Sequence, residues 1–215
     1  MRLFQFSYSP FAAKVRRCLE LKGLAYEAVE VPYLDRRELV ASTGGYAHVP
    51  VLVDAGEVVT DSARITAYLD RRYPPSLRSD PESVLVEQWA DNLLEDAAFK
   101  VACPGLEDRM AAWNGREDAR AIFRLMKERR YGLGCIERWR REAEGRCEEL
   151  VAMLGPVVAL VAERPFLLGG APTLADASVY GQLFMIEAAA PGFIPARLPA
   201  LRDWWERVRS AAPQR

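Results

Sequence analysis

The stretch "RLFQFSYSPFAAKVRRCLELKGLAYEAVEV", residues 2–31, decides the fold. Its first seven residues are short, apolar and aromatic, as in a strand buried on both faces. Phe11, Val15, Cys18 or Leu19, and Leu21 or Lys22 then recur at helical spacing, and Gly23 is the residue that ends such a helix. "AYEAVEV", residues 25–31, alternates with period two and predicts a second strand. A strand, a helix and a strand joined this tightly form a β-α-β unit, so the two strands are expected to run parallel.

Outward from this unit, residues 33–47 predict a short polar helix and a glycine-broken loop. "VPVLVD" and "VVTD" around the turn "AGE" predict an antiparallel hairpin. "SARITAYLDRRY", residues 62–73, reads as a helix with Ser62 as its N-cap and Ile65, Tyr68 and Leu69 on one side. The proline-rich "PPSLRSDP", residues 74–81, breaks the chain, with Asp80 and Pro81 poised to start a new helix. Everything beyond reads as helix: residues 82–102 as one amphipathic run, 116–132 as another, 136–163 as a long one bent at Gly155-Pro156, then 173–189 and 198–210. A strand-rich first third followed by helices alone predicts two domains: an α/β domain over 1–75, a linker over 76–81 and an all-α domain over 82–215.

Composition narrows the function. The chain is 50% hydrophobic and 27% charged, enough to bury a core. A formal net charge of −1 recommends neither nucleic acid nor a membrane surface as partner. No apolar run reaches membrane-spanning length and the start lacks a secretory signal, so a cytoplasmic location is expected. The four cysteines form no Cys-x-x-Cys pair and His48 is the one histidine, which argues against a zinc site.

Four local signals carry chemistry, each with a structural alternative. Ser9-Pro10 is a helix cap, yet a sulfur anion at that point would be stabilised by the helix terminus and a donated hydroxyl. Tyr8 offers a second hydroxyl. Pro50 after Val49 is ordinary at a strand start; a cis peptide there would instead turn the Val49 backbone toward an extended peptide. Asp61-Ser62 can cap a helix or hold the two ends of an α-amino acid. Thr173 with Asp176 is a capping box, read as structural.

The order and spacing of "YSPFAAKVRRCLELKGLAYEAVEV", "HVPVLVDAGEVVTDSARITAYLDRRYP" and "FLLGGAPTLADASVYGQL" resemble the cytosolic glutathione transferase superfamily, of the serine type, across nearly the whole chain. The resemblance implies a thioredoxin-like N-terminal domain and an all-α C-terminal one. It implies that Ser9, with Tyr8 in reserve, activates the glutathione sulfur; where a thioredoxin-like turn carries Cys-x-x-Cys, both sulfurs are absent, which excludes dithiol exchange there. Val49, before a cis Pro50, would pair with the cysteinyl part, Asp61 and Ser62 with the γ-glutamyl end, and His48 with the glycyl carboxylate, while Phe11 lines the mouth of the electrophile pocket. The run "STGGYAHVP" departs from the family's pattern before Val-Pro, and Arg64 stands where a small residue is common.

The implied activity is conjugation of glutathione to a small hydrophobic electrophile, for detoxification, by a homodimer. Glutathione is cosubstrate, with no metal, no other cofactor, no nucleic acid and no membrane. Trp89, Phe99, Trp113 and Tyr131 are candidates to line the electrophile pocket, against the alternative that they are core. A non-catalytic regulatory protein of the same fold, or a glutathione-dependent peroxidase, isomerase or dehalogenase, would share the first site.

Overall fold

The computed structural model describes residues 1–78 and 80–213, with the side chains of Trp113 and Asn114 excepted. β1 (Arg2–Gln5) leads through α1 (Pro10–Leu21) into β2 (Glu27–Glu30), and the two strands are parallel, Leu3 facing Ala28. α2 (Arg37–Thr43) ends at Gly44 in the left-handed conformation, φ +67°, a stop that glycine adopts without strain. The hairpin of β3 (Val51–Asp54) and β4 (Glu57–Thr60) adds to the other edge of β1, giving the mixed order β2-β1-β3-β4. α3 (Ser62–Arg72) completes the first domain.

β1 is buried on both faces because its residues alternate between two cores. Leu3 packs with Val15, Leu19, Ile65 and Leu69 on the α1–α3 side, and Phe4 packs with Val31, Leu39 and Val51 on the other. The Val49-Pro50 peptide is cis.

One cap differs from the sequence reading. Ser62 is the first helical residue of α3, and the N-cap is Asp61, whose Oδ1 accepts from the Ala63 and Arg64 N–H groups at 3.0 and 3.2 Å. Both residues are good caps, and the backbone decides between them: Asp61 turns at φ +72°.

The helical half is more broken than its periodicity suggests. α4 (Pro81–Trp89) passes through a π-helical turn, Ala90–Leu94, into α5 (Glu95–Asn114). α6 (Glu117–Tyr131) follows. The expected single helix over 136–163 is three: α7 (Cys135–Arg141), α8 (Ala143–Met153) and α9 (Gly155–Glu163). Pro156, lacking an N–H, accounts for the second break; the first, at Glu142, has neither glycine nor proline. α10 (Leu174–Ala189), α11 (Phe193–Arg197) and α12 (Arg202–Ser210) close the chain.

Two buried carboxylate networks follow, one inside the helical half and one between the halves. The Thr173–Asp176 capping box forms, and the buried Asp176 carboxylate also accepts from the Leu167 N–H and the Trp204 indole, both at 2.9 Å. Four donors on one carboxylate explain why it tolerates the interior. Between the domains, Lys14 of α1 is 1% exposed and its ammonium bonds Glu87 at 3.0 Å and Asp91 at 2.5 Å. Glu87 also takes the Arg78 guanidinium at 2.9 Å and the Thr66 hydroxyl at 3.0 Å.

Candidate functional site

Ser9 caps α1. Its Oγ accepts from the Ala12 N–H at 3.3 Å, and Pro10 occupies the first helical position, where a missing N–H costs nothing. The cap uses an oxygen lone pair of Ser9, so the hydroxyl proton stays available to donate. At 7% exposure Ser9 sits at the edge of a cavity of about 550 Å³ between the domains, together with Tyr8 and Phe11. Burial, then the neighbouring Tyr33 and Glu30, pushes the Tyr8 phenol far above its ordinary range, so it is a neutral donor. Its ring lies parallel to that of Phe6 with centroids 5.5 Å apart.

A second cavity, about 510 Å³, adjoins the first and shares Phe11, His48 and Val49 with it. Pro50, Asp61 and Ser62 line it. Asp61 is exposed, and because Oδ1 makes both capping bonds, Oδ2 is left without a hydrogen bond among the described residues. A capped helix start with a spare carboxylate oxygen suits a ligand carrying both an anion and an ammonium. His48 is exposed on the same rim, its ring edge-on to Tyr46 at 5.5 Å. The eight residues that the resemblance implies for the sulfur and glutathione sites, Tyr8, Ser9, Phe11, His48, Val49, Pro50, Asp61 and Ser62, therefore all fall on these two cavities, although they come from three separate segments.

Sequence reasoning missed the wall opposite Asp61. Gln88, Asp91 and Asn92 line the second cavity from α4 and the turn after it. Burial pushes the Asp91 carboxyl up against the pull of Lys14, and its Oδ1 is buried without a hydrogen bond among the described residues. The i, i+3, i+4 spacing of the three was the available signal, but it marks a helix face without saying what the face meets. Of the candidate aromatics, Phe99 lines the first cavity. Trp89 and Tyr131 pack against the core of the helical domain, Tyr131 edge-on to Trp139 at 5.1 Å. The side chain of Trp113 lies outside those described.

Both halves of the chain are similar to known proteins. Residues 3–78 match the family model of the glutathione S-transferase N-terminal domain, and residues 135–207 that of the glutathione S-transferase C-terminal domain. A probable glutathione S-transferase of Oryza sativa subsp. japonica is 30% identical over 215 residues, 94% of this chain and 81% of that protein. A maleylacetoacetate isomerase of Pseudomonas aeruginosa is 26% identical over 99% of this chain and 89% of its own. With other curated relatives the match spans about half of their length, 58% and 45% in two instances. Among solved structures, a glutathione S-transferase from Rhodospirillum rubrum F11 is 28% identical and superposes with a TM-score of 0.71 over 97% of this chain and 87% of that one.

Proposed function

The chain belongs to the glutathione S-transferase family, and from that premise we propose that it conjugates the thiolate of glutathione to a small electrophile with an apolar body. Glutathione lies extended along the second cavity. Its γ-glutamyl ammonium meets the Asp61 Oδ2 and the orphaned Asp91 Oδ1, its α-carboxylate meets Ser62 at the start of α3, and its cysteinyl backbone pairs with Val49. The glycyl carboxylate is then at His48.

The sulfur comes to the N-terminus of α1. There the Ser9 hydroxyl donates to it and the helix terminus adds its positive end, both favouring thiolate over thiol. With the nucleophile ionised, what remains is to hold the electrophile in the first cavity against the sulfur, which is catalysis by placement. This chemistry calls for no cofactor beyond glutathione as cosubstrate. The observation that carries the reading is that the Ser9 cavity adjoins the Asp61–Ser62 cavity, with Phe11, His48 and Val49 lining both.

Calorimetric titration with glutathione, followed by turnover of a chloronitroaromatic by wild type and Ser9→Ala, tests it. Glutathione is expected to bind at millimolar concentration or below, and Ser9→Ala to lose about 10²-fold in rate, the usual cost of removing one donor to a reacting anion. Absence of binding overturns the reading. A Ser9→Ala variant with full rate would move the donor role to Tyr8.

The likeness to a maleylacetoacetate isomerase along the chain supports a second reading, glutathione-dependent isomerisation at the same sulfur. A homodimer acting in the cytoplasm on harmful electrophiles belongs to the same proposal. Leu85 and Leu93, 70% and 60% exposed on α4 and the following turn, are apolar surface that such a dimer would cover, which sedimentation of wild type against Leu85→Glu reads.

A further inference from the structure

The first cavity is walled by aromatic and aliphatic side chains, but its charge is lopsided. Arg36, just ahead of α2, and Lys127, Arg129 and Arg130, on the last turns of α6, all line it, whereas Glu95 is its one carboxylate among the described residues. None of the four cations has a carboxylate oxygen within 4.0 Å among the described residues. Elsewhere on the same helix pairing is the rule: Arg124 reaches Glu107 at 2.6 Å, and Arg120 reaches the same carboxylate at 3.7 Å. Unpaired cations are therefore confined to the part of α6 that faces the cavity.

Two of the four are held in place by the cavity's own rings. The Lys127 ammonium stands 4.9 Å from the centroids of both Phe99 and Phe123. The Arg36 guanidinium lies 5.2 Å over Phe6 and 5.6 Å over Tyr33, and its Nη1 donates to the Ala47 carbonyl at 2.6 Å. Half-buried, Lys127 has lost water that the rings replace only in part: burial pulls its ammonium below the ordinary value, and burial likewise pushes Glu95 up, though Arg130 and Lys127 oppose that. A neutral ligand filling the cavity would desolvate Lys127 further with nothing in return. A ligand carboxylate would supply the counter-charge at a position already organised for it, and the exposed Arg129 and Arg130 would draw it inward.

We infer that the electrophile taken by this site carries a carboxylate, seated at Lys127 and Arg36 with its apolar body on Phe99 and its reactive carbon toward Ser9. The inference rests on the transferase reading and narrows its substrate class to anionic electrophiles.

The test uses 4-chloro-3-nitrobenzoate and 4-chloro-3-nitrobenzamide with glutathione. The thiolate sulfur bonds to the ring carbon bearing chlorine, and chloride leaves with the bonding electron pair; the two compounds are near-isosteres that differ in the charge of the distal group, and the uncatalysed rate carries their difference in ring activation. After each kcat/KM is divided by its uncatalysed rate, wild type is expected to favour the carboxylate at least tenfold, mainly through KM. Lys127→Met should cut that preference at least fivefold, and Lys127→Arg should restore most of it. A preference within twofold of unity in wild type, or one that survives Lys127→Met, overturns the inference.

Failure of the transferase reading is separable. If neither compound turns over, titration of the folded, full-length protein with 3-nitrobenzoate and 3-nitrobenzamide still decides. Tighter binding of the benzoate by tenfold, lost in Lys127→Met, sustains an anion site in the cavity; equal binding removes it. Should Lys127→Met not fold, Lys127→Gln and the loss of the wild-type preference in high salt serve the same purpose.

Discussion

Asp61 shows how one side chain carries two loads. Oδ1 closes the N-terminus of α3 and Oδ2 is left over on a residue that lines the second cavity, so Asp61→Ala would remove a cap worth about 1 kcal/mol together with the ligand contact proposed for it. Asp61→Asn separates them: asparagine caps as well and tolerates a positive φ, but it has no charge for an ammonium. The expected outcome is an unchanged Tm with glutathione affinity weakened about tenfold to hundredfold, the worth of a charge-assisted hydrogen bond, and a smaller effect on the rate at saturating glutathione. An unchanged affinity by calorimetry would remove Asp61 from the binding machinery. At this scale the sequence was informative wherever one residue type has one use. Ser-Pro at a helix start reads as a cap and is one; Asp61-Ser62 offers two capping residues in a row, and only the φ of +72° at Asp61 decides which one caps. Asp91 and Lys127 were not legible as site residues, because a carboxylate or an ammonium on a helix is normally solvated, and what marks these two is what other segments place beside them.

Asp70 links two elements, the end of α3 and the proline-rich connection after it. Its carboxylate accepts from the Leu77 N–H at 2.8 Å, the Arg78 N–H at 3.2 Å and the Ser76 hydroxyl, and it pairs with the buried Lys22 ammonium at 2.9 Å. Burial alone would raise this carboxyl, but the bonds from Ser76, Leu77 and Lys22 outweigh it and hold it below the ordinary carboxylate range. A carboxyl depressed in the folded state contributes stability that is complete above its unfolded pKa of about 3.9 and is lost as pH falls through the folded value. Thermal unfolding followed from pH 6 toward acid should therefore give wild type a steeper fall below about pH 4 than Asp70→Asn, with the variant the less stable of the two at neutral pH. Parallel curves would show that this clamp does not titrate as described. Elements themselves were legible where their period was unambiguous. The π-helical turn over Ala90–Leu94 was hidden because Trp89, Ala90, Leu93 and Leu94 satisfy an apolar face at either period, so the run reads as one helix. That turn joins α4, which bears Gln88, to α5, which bears Glu95 and Phe99, and so connects the walls of the two cavities.

Taken whole, the molecule sets the Ser9 turn of one domain at cavities that both domains line, and the two domains pack most extensively where α1 crosses α10. Gly181 sits at that crossing: a Cβ there would stand 2.5 Å from the Pro10 carbonyl oxygen and 3.1 Å from the Lys14 backbone nitrogen. Because the clash is with backbone, no side chain can rotate out of the way, and the two helices must separate. Pro10 follows Ser9 directly, and Lys14 anchors Asp91 and Glu87, so a shift of α1 moves the Ser9 hydroxyl, the proposed sulfur activator, and loosens the second cavity's far wall together. Gly181→Ala is thus expected to cost about 1–3 kcal/mol of stability by overpacking and to lower kcat/KM by about tenfold or more through misplacement, though residue 181 lines neither cavity. Gly145→Ala is the matched control, since its Cβ would meet nothing within 4 Å on α8 and a helical glycine gains about 0.5–1 kcal/mol on becoming alanine. Melting and steady-state kinetics on both variants check it. If Gly181→Ala melts lower yet keeps the full rate per folded molecule, the second domain stabilises the site without setting its geometry; if rate and Tm fall together while Gly145→Ala holds both, the domain crossing is part of the catalytic apparatus.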